Sequence, residues 1–171
     1  MEDINEIITL QGNPVTLAGS IPDVGNVAPD CELVANDLSM VRLSRYRGKV
    51  CILTTLSSID TAVCAAETQR FDTEAAWLGA DVQILAISVD LPFALRRWCG
   101  AKGVSRLTTL SDYRETALGL AFGVLIKEFR LLARTVFVLD REGIIRYREI
   151  VSEVTDEPDY KKALDAARAL V

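Results

Sequence analysis

The sequence predicts an α/β protein in which a mixed sheet is covered by helices. Strand and helix patterns alternate through the middle of the chain, and hairpin patterns stand towards both ends. No apolar run approaches the ~20 residues that a membrane span requires. At 171 residues the length suits one domain over 1–171, and a domain of that size buries roughly 70% of the surface its unfolded chain would expose.

Residues 7–10 and 15–18 flank Gln11-Gly12-Asn13-Pro14 and read as an N-terminal β-hairpin. Residues 20–29, rich in Gly and Pro, form a linker, and residues 32–35 and 40–43 flank Asn36-Asp37-Leu38-Ser39 as a second hairpin. Val50-Cys51-Ile52-Leu53-Thr54-Thr55-Leu56 is the β-branched, apolar run of a central strand covered on both faces. From 64 to 78 the pattern is helical, with Phe71, Ala75 and Leu78 on one face and Glu67, Arg70, Asp72 and Glu74 available for the other. Residues 82–89 are the next buried strand. Asp90-Leu91-Pro92 opens a helix, with Pro92 suited to its first turn, that carries Phe93, Trp98 and Cys99. A short strand over 107–110, a short helix over 115–122 and a strand over 133–139 follow. Asp140-Arg141-Glu142-Gly143 turns that strand into 144–151 as a third hairpin, and a last helix covers about 158–170.

Half of the residues are hydrophobic (50%) and a quarter are charged (25%), the composition of a globular protein rather than a disordered one. The net charge is −5, and apolar residues interrupt the basic stretches at 42–49 and Arg96-Arg97, so no nucleic acid and no membrane is expected as a partner. The acidic start Met1-Glu2-Asp3-Ile4-Asn5-Glu6 has neither a basic n-region nor an apolar h-region, which points to the cytoplasm. The four cysteines, Cys31, Cys51, Cys64 and Cys99, contain no Cys-x-x-Cys pair. That spacing speaks against a zinc ribbon and against a thioredoxin-type dithiol site. In a reducing compartment it leaves room for a transient, catalytic disulfide but not a permanent one.

Cys64 is where chemistry is expected. It follows the central strand and stands at the start of a helix, where unpaired backbone N–H groups and the positive end of the helix dipole stabilise an anion and so favour a reactive thiolate. The chain has no histidine, which removes the base of a Ser-His or Cys-His enzyme and the commonest transition-metal ligand. Taken alone, such a cysteine also reads as a small buried hydrophobe.

The surrounding sequence decides between these readings. Gln11-Gly12-Asn13-Pro14-Val15-Thr16, Ser58-Ile59-Asp60-Thr61 with Val63-Cys64-Ala65, Asp90-Leu91-Pro92-Phe93-Ala94, Trp98-Cys99-Gly100-Ala101, Leu132-Ala133-Arg134 and Glu157-Pro158-Asp159-Tyr160 run in order over nearly the whole chain. In these blocks the chain resembles the thiol peroxidases, the atypical two-cysteine branch of the peroxiredoxins, antioxidant enzymes with a thioredoxin-like fold. The resemblance implies that Cys64 attacks the peroxide, that Arg134 reaches across to Cys64, and that Cys99 resolves the sulfenic acid as an intramolecular Cys64–Cys99 disulfide. It further implies hydrogen peroxide and organic (alkyl) hydroperoxides as substrates, thioredoxin as reductant, a homodimer, and no metal, flavin or haem. Thr61 can N-cap the helix and direct its hydroxyl at the sulfur or the bound peroxide. By pattern alone Arg134 is a solvated strand-end residue, and Arg130 nearby is a weaker competitor for its role. Cys31 and Cys51 have no partner in the family pattern and read as packing residues.

One position departs from the family pattern. The peroxiredoxin motif has a proline where this chain has Ser57. Serine restores a backbone N–H and a wider range of φ, so a less fixed and wetter loop is expected. That leaves an alternative reading, a catalytically weakened relative acting as a redox-responsive binding protein. A general thiol-disulfide oxidoreductase is disfavoured by the missing Cys-x-x-Cys.

Overall fold

In the computed structural model, which describes residues 3–171, β1 (Asp3–Leu10) and β2 (Asn13–Ala18) form the first hairpin and β3 (Glu32–Ala35) and β4 (Met40–Arg42) the second. The acidic start read at Met1 and Glu2 lies outside the described residues. A 3-10 turn (Leu43–Tyr46) leads into β5 (Val50–Thr55), followed by α1 (Ala62–Leu78), β6 (Val82–Ser88), α2 (Pro92–Lys102) and β7 (Thr108–Ser111). Then come α3 (Ala117–Ala121), the two-residue strands β8 (Leu125–Ile126) and β9 (Leu131–Leu132), β10 (Thr135–Leu139), β11 (Ile145–Ile150) and α4 (Tyr160–Arg168). The predicted elements are present. Neither β8 nor β9 is legible in the sequence, because two residues are too few to display an alternation.

The main sheet runs β11-β10-β5-β6-β7-β3-β4, with β5, β6 and β7 parallel and the other pairings antiparallel. Every residue of β5 is buried, as its continuous apolar pattern requires of a strand covered on both faces. Alternation sorts the side chains: Leu53, Leu85 and Phe137 point to one core with Leu118 of α3, while Ile52, Ile84 and Val136 point to the other with Phe71 of α1, Leu95 of α2 and Ala163 of α4. The first hairpin joins a separate sheet, β1-β2-β8-β9. Its docking needs Gly19, which has φ +113° and where a Cβ would come within 2.0 Å of the Leu120 carbonyl oxygen.

The expected polar face of α1 is only partly polar. Arg70 and Glu74 pair at 3.0 Å near the surface, but Glu67 and Asp72 are buried. Asp72 is buried because its Oδ1 accepts from the backbone N–H groups of Ser105, Arg106 and Leu107 at 3.1, 2.6 and 3.2 Å, fastening the α2–β7 loop to α1. The basic stretch residues Arg42, Arg45, Arg47, Lys49, Arg96 and Arg97 are all exposed. No described helix is long and apolar enough to cross a membrane.

Candidate active site

The Cys64 site is assembled where β5 ends and α1 begins. Thr61 caps α1, its Oγ1 accepting from the Cys64 N–H at 3.4 Å. The same hydroxyl donates to the Ser58 carbonyl at 3.1 Å, so the capping role expected of Thr61 is formed while its proton is turned away from the sulfur. Cys64 sits in the first turn with no exposed surface, and Thr68 one turn on donates to its carbonyl at 2.8 Å.

Arg134 lies between β9 and β10 and is 1% exposed. Three of its nitrogens have separate jobs. Nη2 donates to Cys64 Sγ at 3.3 Å, Nη1 forms an ion pair with Glu67, and Nε donates to the Val154 carbonyl at 3.0 Å. Val154 is itself held by Thr9 of β1, whose carbonyl accepts its N–H at 2.8 Å. The strand-end pattern of Arg134 therefore misleads: the residue is folded inwards by three partners rather than solvated. Arg130, the competitor, is directed elsewhere and donates to Thr116 Oγ1 at 3.0 Å.

Burial opposes the positive charge on Arg134, but the Glu67 carboxylate and the Cys64 sulfur outweigh it and hold the guanidinium above its ordinary value. Burial pushes the Glu67 carboxyl up, against the pull of Arg134 and of Thr54, whose hydroxyl donates to Glu67 Oε1 at 2.5 Å. The site thus places a fixed cation and an N–H donor against a buried sulfur, an arrangement that stabilises a thiolate and charge developing on a neighbouring oxygen.

Two further residues, Asp90 and Glu67, belong to the site without a site signal in the surrounding sequence motif. Asp90 precedes α2, accepts from Ser58 Oγ and the Ile59 N–H at 2.7 Å each, and accepts from Ser88 Oγ at 2.7 Å. It ties the Cys64 loop to the helix that carries Cys99. Glu67 could have been found from helical spacing, because it falls on the inward face with Cys64 and Phe71.

Cys99 lies on α2, half-buried, and packs against the cluster that contains Cys64. All four cysteines are free thiols. Burial raises the Cys99 thiol. Cys31 and Cys51 are the packing residues expected of them: burial, then the charges of Asp112 and Asp30, pushes Cys31 up to about 11, and burial pushes Cys51 up to about 12.

Ser57 is 8% exposed, and its hydroxyl donates to the Leu132 carbonyl at 3.1 Å. The wetter environment expected from the missing proline is not present at this position: Ser57 is buried, and its hydroxyl supplies an anchor that proline lacks. Ser57→Ala strands that buried carbonyl and should lower stability by about 1 kcal/mol, read as a melting temperature lower by roughly 2–4 °C. Ser57→Pro should bring no gain in the rate of peroxide attack in stopped-flow measurements.

A profile of the Redoxin family matches residues 23–164. The chain is 54% identical over 164 residues to the thiol peroxidase of Bacillus subtilis, covering 96% of this chain and 98% of that protein. It is 50% identical over 162 residues to the thiol peroxidase of Halalkalibacterium halodurans, covering 95% and 97%. Among solved structures, a peroxiredoxin-like protein from Aquifex aeolicus superposes with a TM-score of 0.91 at 34% identity over 100% of both chains. The thiol peroxidase from Chromobacterium violaceum superposes with a TM-score of 0.85 at 20% identity, over 98% of this chain and 95% of that one, a likeness of fold.

Proposed function

This chain belongs to the redoxin family and is a peroxidase of the thiol peroxidase group, and from that premise we propose that it reduces hydrogen peroxide and alkyl hydroperoxides through Cys64, Cys99, Thr61 and Arg134. The observation that carries the assignment is the 3.3 Å contact from Arg134 Nη2 to Cys64 Sγ. The Cys64 thiolate attacks one peroxide oxygen, the O–O bond breaks, and the leaving oxygen takes a proton to become water or an alcohol. Cys64 is left as sulfenic acid. Arg134 holds the sulfur anion beforehand and stabilises charge on the departing oxygen. Thr61 holds the first turn of α1 in place.

Cys99 then attacks Cys64: the S–S bond forms, the S–O bond breaks, and hydroxide leaves with a proton as water. Bridging needs Cα atoms within roughly 7 Å, and Cys64 has no exposed surface, so the first turn of α1 and the Cys99 end of α2 unwind during turnover. A dithiol donor of the thioredoxin kind restores both thiols, in the cytoplasm, with one domain spanning the chain. A homodimer is supported by the exposed Leu91, Phe93 and Tyr113 on two adjacent segments, bridged by the bond from Ser111 Oγ to the Asp90 carbonyl.

Thioredoxin-coupled turnover with hydrogen peroxide and an alkyl hydroperoxide side by side tests the reading. Cys64→Ser should abolish it, and Cys99→Ser should complete one peroxide reduction and then accumulate sulfenic and sulfinic acid. Peptide mapping of the oxidised wild-type protein should find Cys64 joined to Cys99 within one chain. Cys31 or Cys51 as the partner, or a covalent dimer as the main product, would overturn the assignment.

A further inference from the structure

Resting on the reading of Cys99 as the resolving cysteine, we propose that Thr109 is a further catalytic residue, whose hydroxyl donates to the Cys99 sulfur as that sulfur becomes the attacking thiolate, and that Asn36 is the positioning residue that aims it. Thr109 stands on β7, 4% exposed, with its Oγ1 at 3.5 Å from Cys99 Sγ. On its other side the hydroxyl oxygen accepts from Asn36 Nδ2 at 2.9 Å, at the turn that follows β3.

A hydroxyl has one proton and two acceptor sites. With an Asn36 N–H occupying one acceptor site of Thr109, the Thr109 proton is free for sulfur. While Cys99 is a thiol, either atom can donate. Once it is a thiolate it can only accept, so the bond then runs from Thr109 to sulfur and is strengthened by the charge. The Asn36 side-chain carbonyl is buried without a partner among the described residues. The amide places its N–H, and not this carbonyl, against the Thr109 oxygen.

Cys99 needs this help. Burial raises its thiol, the Asp72 carboxylate facing it from α1 raises it further, and the Thr109 hydrogen bond pulls the other way. Asp72 is in turn tied to three backbone N–H groups and faces Arg106 at 3.8 Å. In the resolving step the proton lost from Cys99 leaves with the hydroxide of the Cys64 sulfenic acid as water, and no oxidant beyond the peroxide already consumed is required. Without Thr109 the thiolate forms in the same half-buried place with no side-chain donor to hold it.

The test separates the two half-reactions by rapid quench and mass spectrometry after one equivalent of hydrogen peroxide. Thr109→Val, which keeps the β-branched shape, should slow disulfide formation about tenfold at pH 7, with Cys64 oxidation proceeding at the wild-type rate. The deficit should shrink towards pH 10 as Cys99 ionises without help, and Thr109→Ser should restore most of the rate. Asn36→Asp, which keeps the shape but draws the Thr109 proton to a carboxylate, should slow the same step. A packing defect would slow resolution equally at every pH and would not be rescued by serine. Wild-type disulfide formation in Thr109→Val at pH 7, or a deficit that does not change with pH, overturns the proposal. Cys99→Ser in the same experiment judges the underlying reading: a Cys64 disulfide that still forms removes Cys99 from the mechanism and the proposal with it, whereas its loss beside a fully active Thr109→Val rejects Thr109 alone.

Discussion

Arg134→Met should slow the attack of Cys64 on hydrogen peroxide by about 100- to 1,000-fold, the loss typical of removing one preorganised donor from a developing oxyanion and equivalent to about 3–4 kcal/mol in the barrier. The guanidinium is 1% exposed, and a single planar group serves Cys64 Sγ, Glu67 and the Val154 carbonyl together. That geometry also predicts that Arg134→Lys fails to recover the rate, because a compact ammonium on a flexible stem cannot meet three partners fixed in different directions. Stopped-flow tryptophan fluorescence under pseudo-first-order peroxide, with circular dichroism to confirm folding, reads the effect. A wild-type rate in Arg134→Met would move the role to another cation. Arg130 is a poor candidate, since it is bonded to Thr116.

How far this site is legible in the sequence differs from residue to residue, for physical reasons. A reactive position for Cys64 follows from local pattern alone, because a buried strand running into a helix places a thiol at a helix N-terminus. The strands of the main sheet are legible for the same kind of reason: β5 is apolar throughout and flanked by turn signals. Arg134 is different. Its pattern is that of a solvated strand end, and only the resemblance of the surrounding residues turned it inwards; the structure supplies the cause in the Glu67 carboxylate and the Val154 carbonyl. Glu67 reads as solvated because a charged residue on an amphipathic helix is assigned to solvent by default; its spacing from Cys64 and Phe71 is the one local sign that it faces inwards, and its partner lies far away in the chain. Asp90 reads as part of a helix start, whereas its carboxylate is taken up by Ser58, Ile59 and Ser88. Ser57 reads as a defect only while its neighbour Leu132 is unknown.

The second large effect is on stability and concerns Glu67, which is fully buried beside Arg134. Glu67→Leu leaves a guanidinium in the core without its counter-charge, and breaking a buried ion pair in that way costs about 3–5 kcal/mol. For a domain of this length, that should lower the melting temperature by about 10 °C or more. The Thr54 hydroxyl also loses its carboxylate acceptor but keeps a second one, the Thr135 carbonyl at 3.1 Å, so most of the loss is assigned to the arginine. Glu67→Leu combined with Arg134→Met should therefore recover much of the stability, since two apolar side chains then fill the space of the pair, while peroxide reduction stays at the low rate of Arg134→Met. Glu67→Gln should lie between wild type and Glu67→Leu, because its side-chain carbonyl can still accept from Arg134. Chemical denaturation of wild type, Glu67→Leu, Arg134→Met and the double variant closes a double-mutant cycle. If the double variant is no more stable than Glu67→Leu alone, the unpaired cation is not the source of the loss. If Glu67→Leu costs less than about 1 kcal/mol, the pair contributes to the placing of Arg134 for catalysis and little to holding the fold.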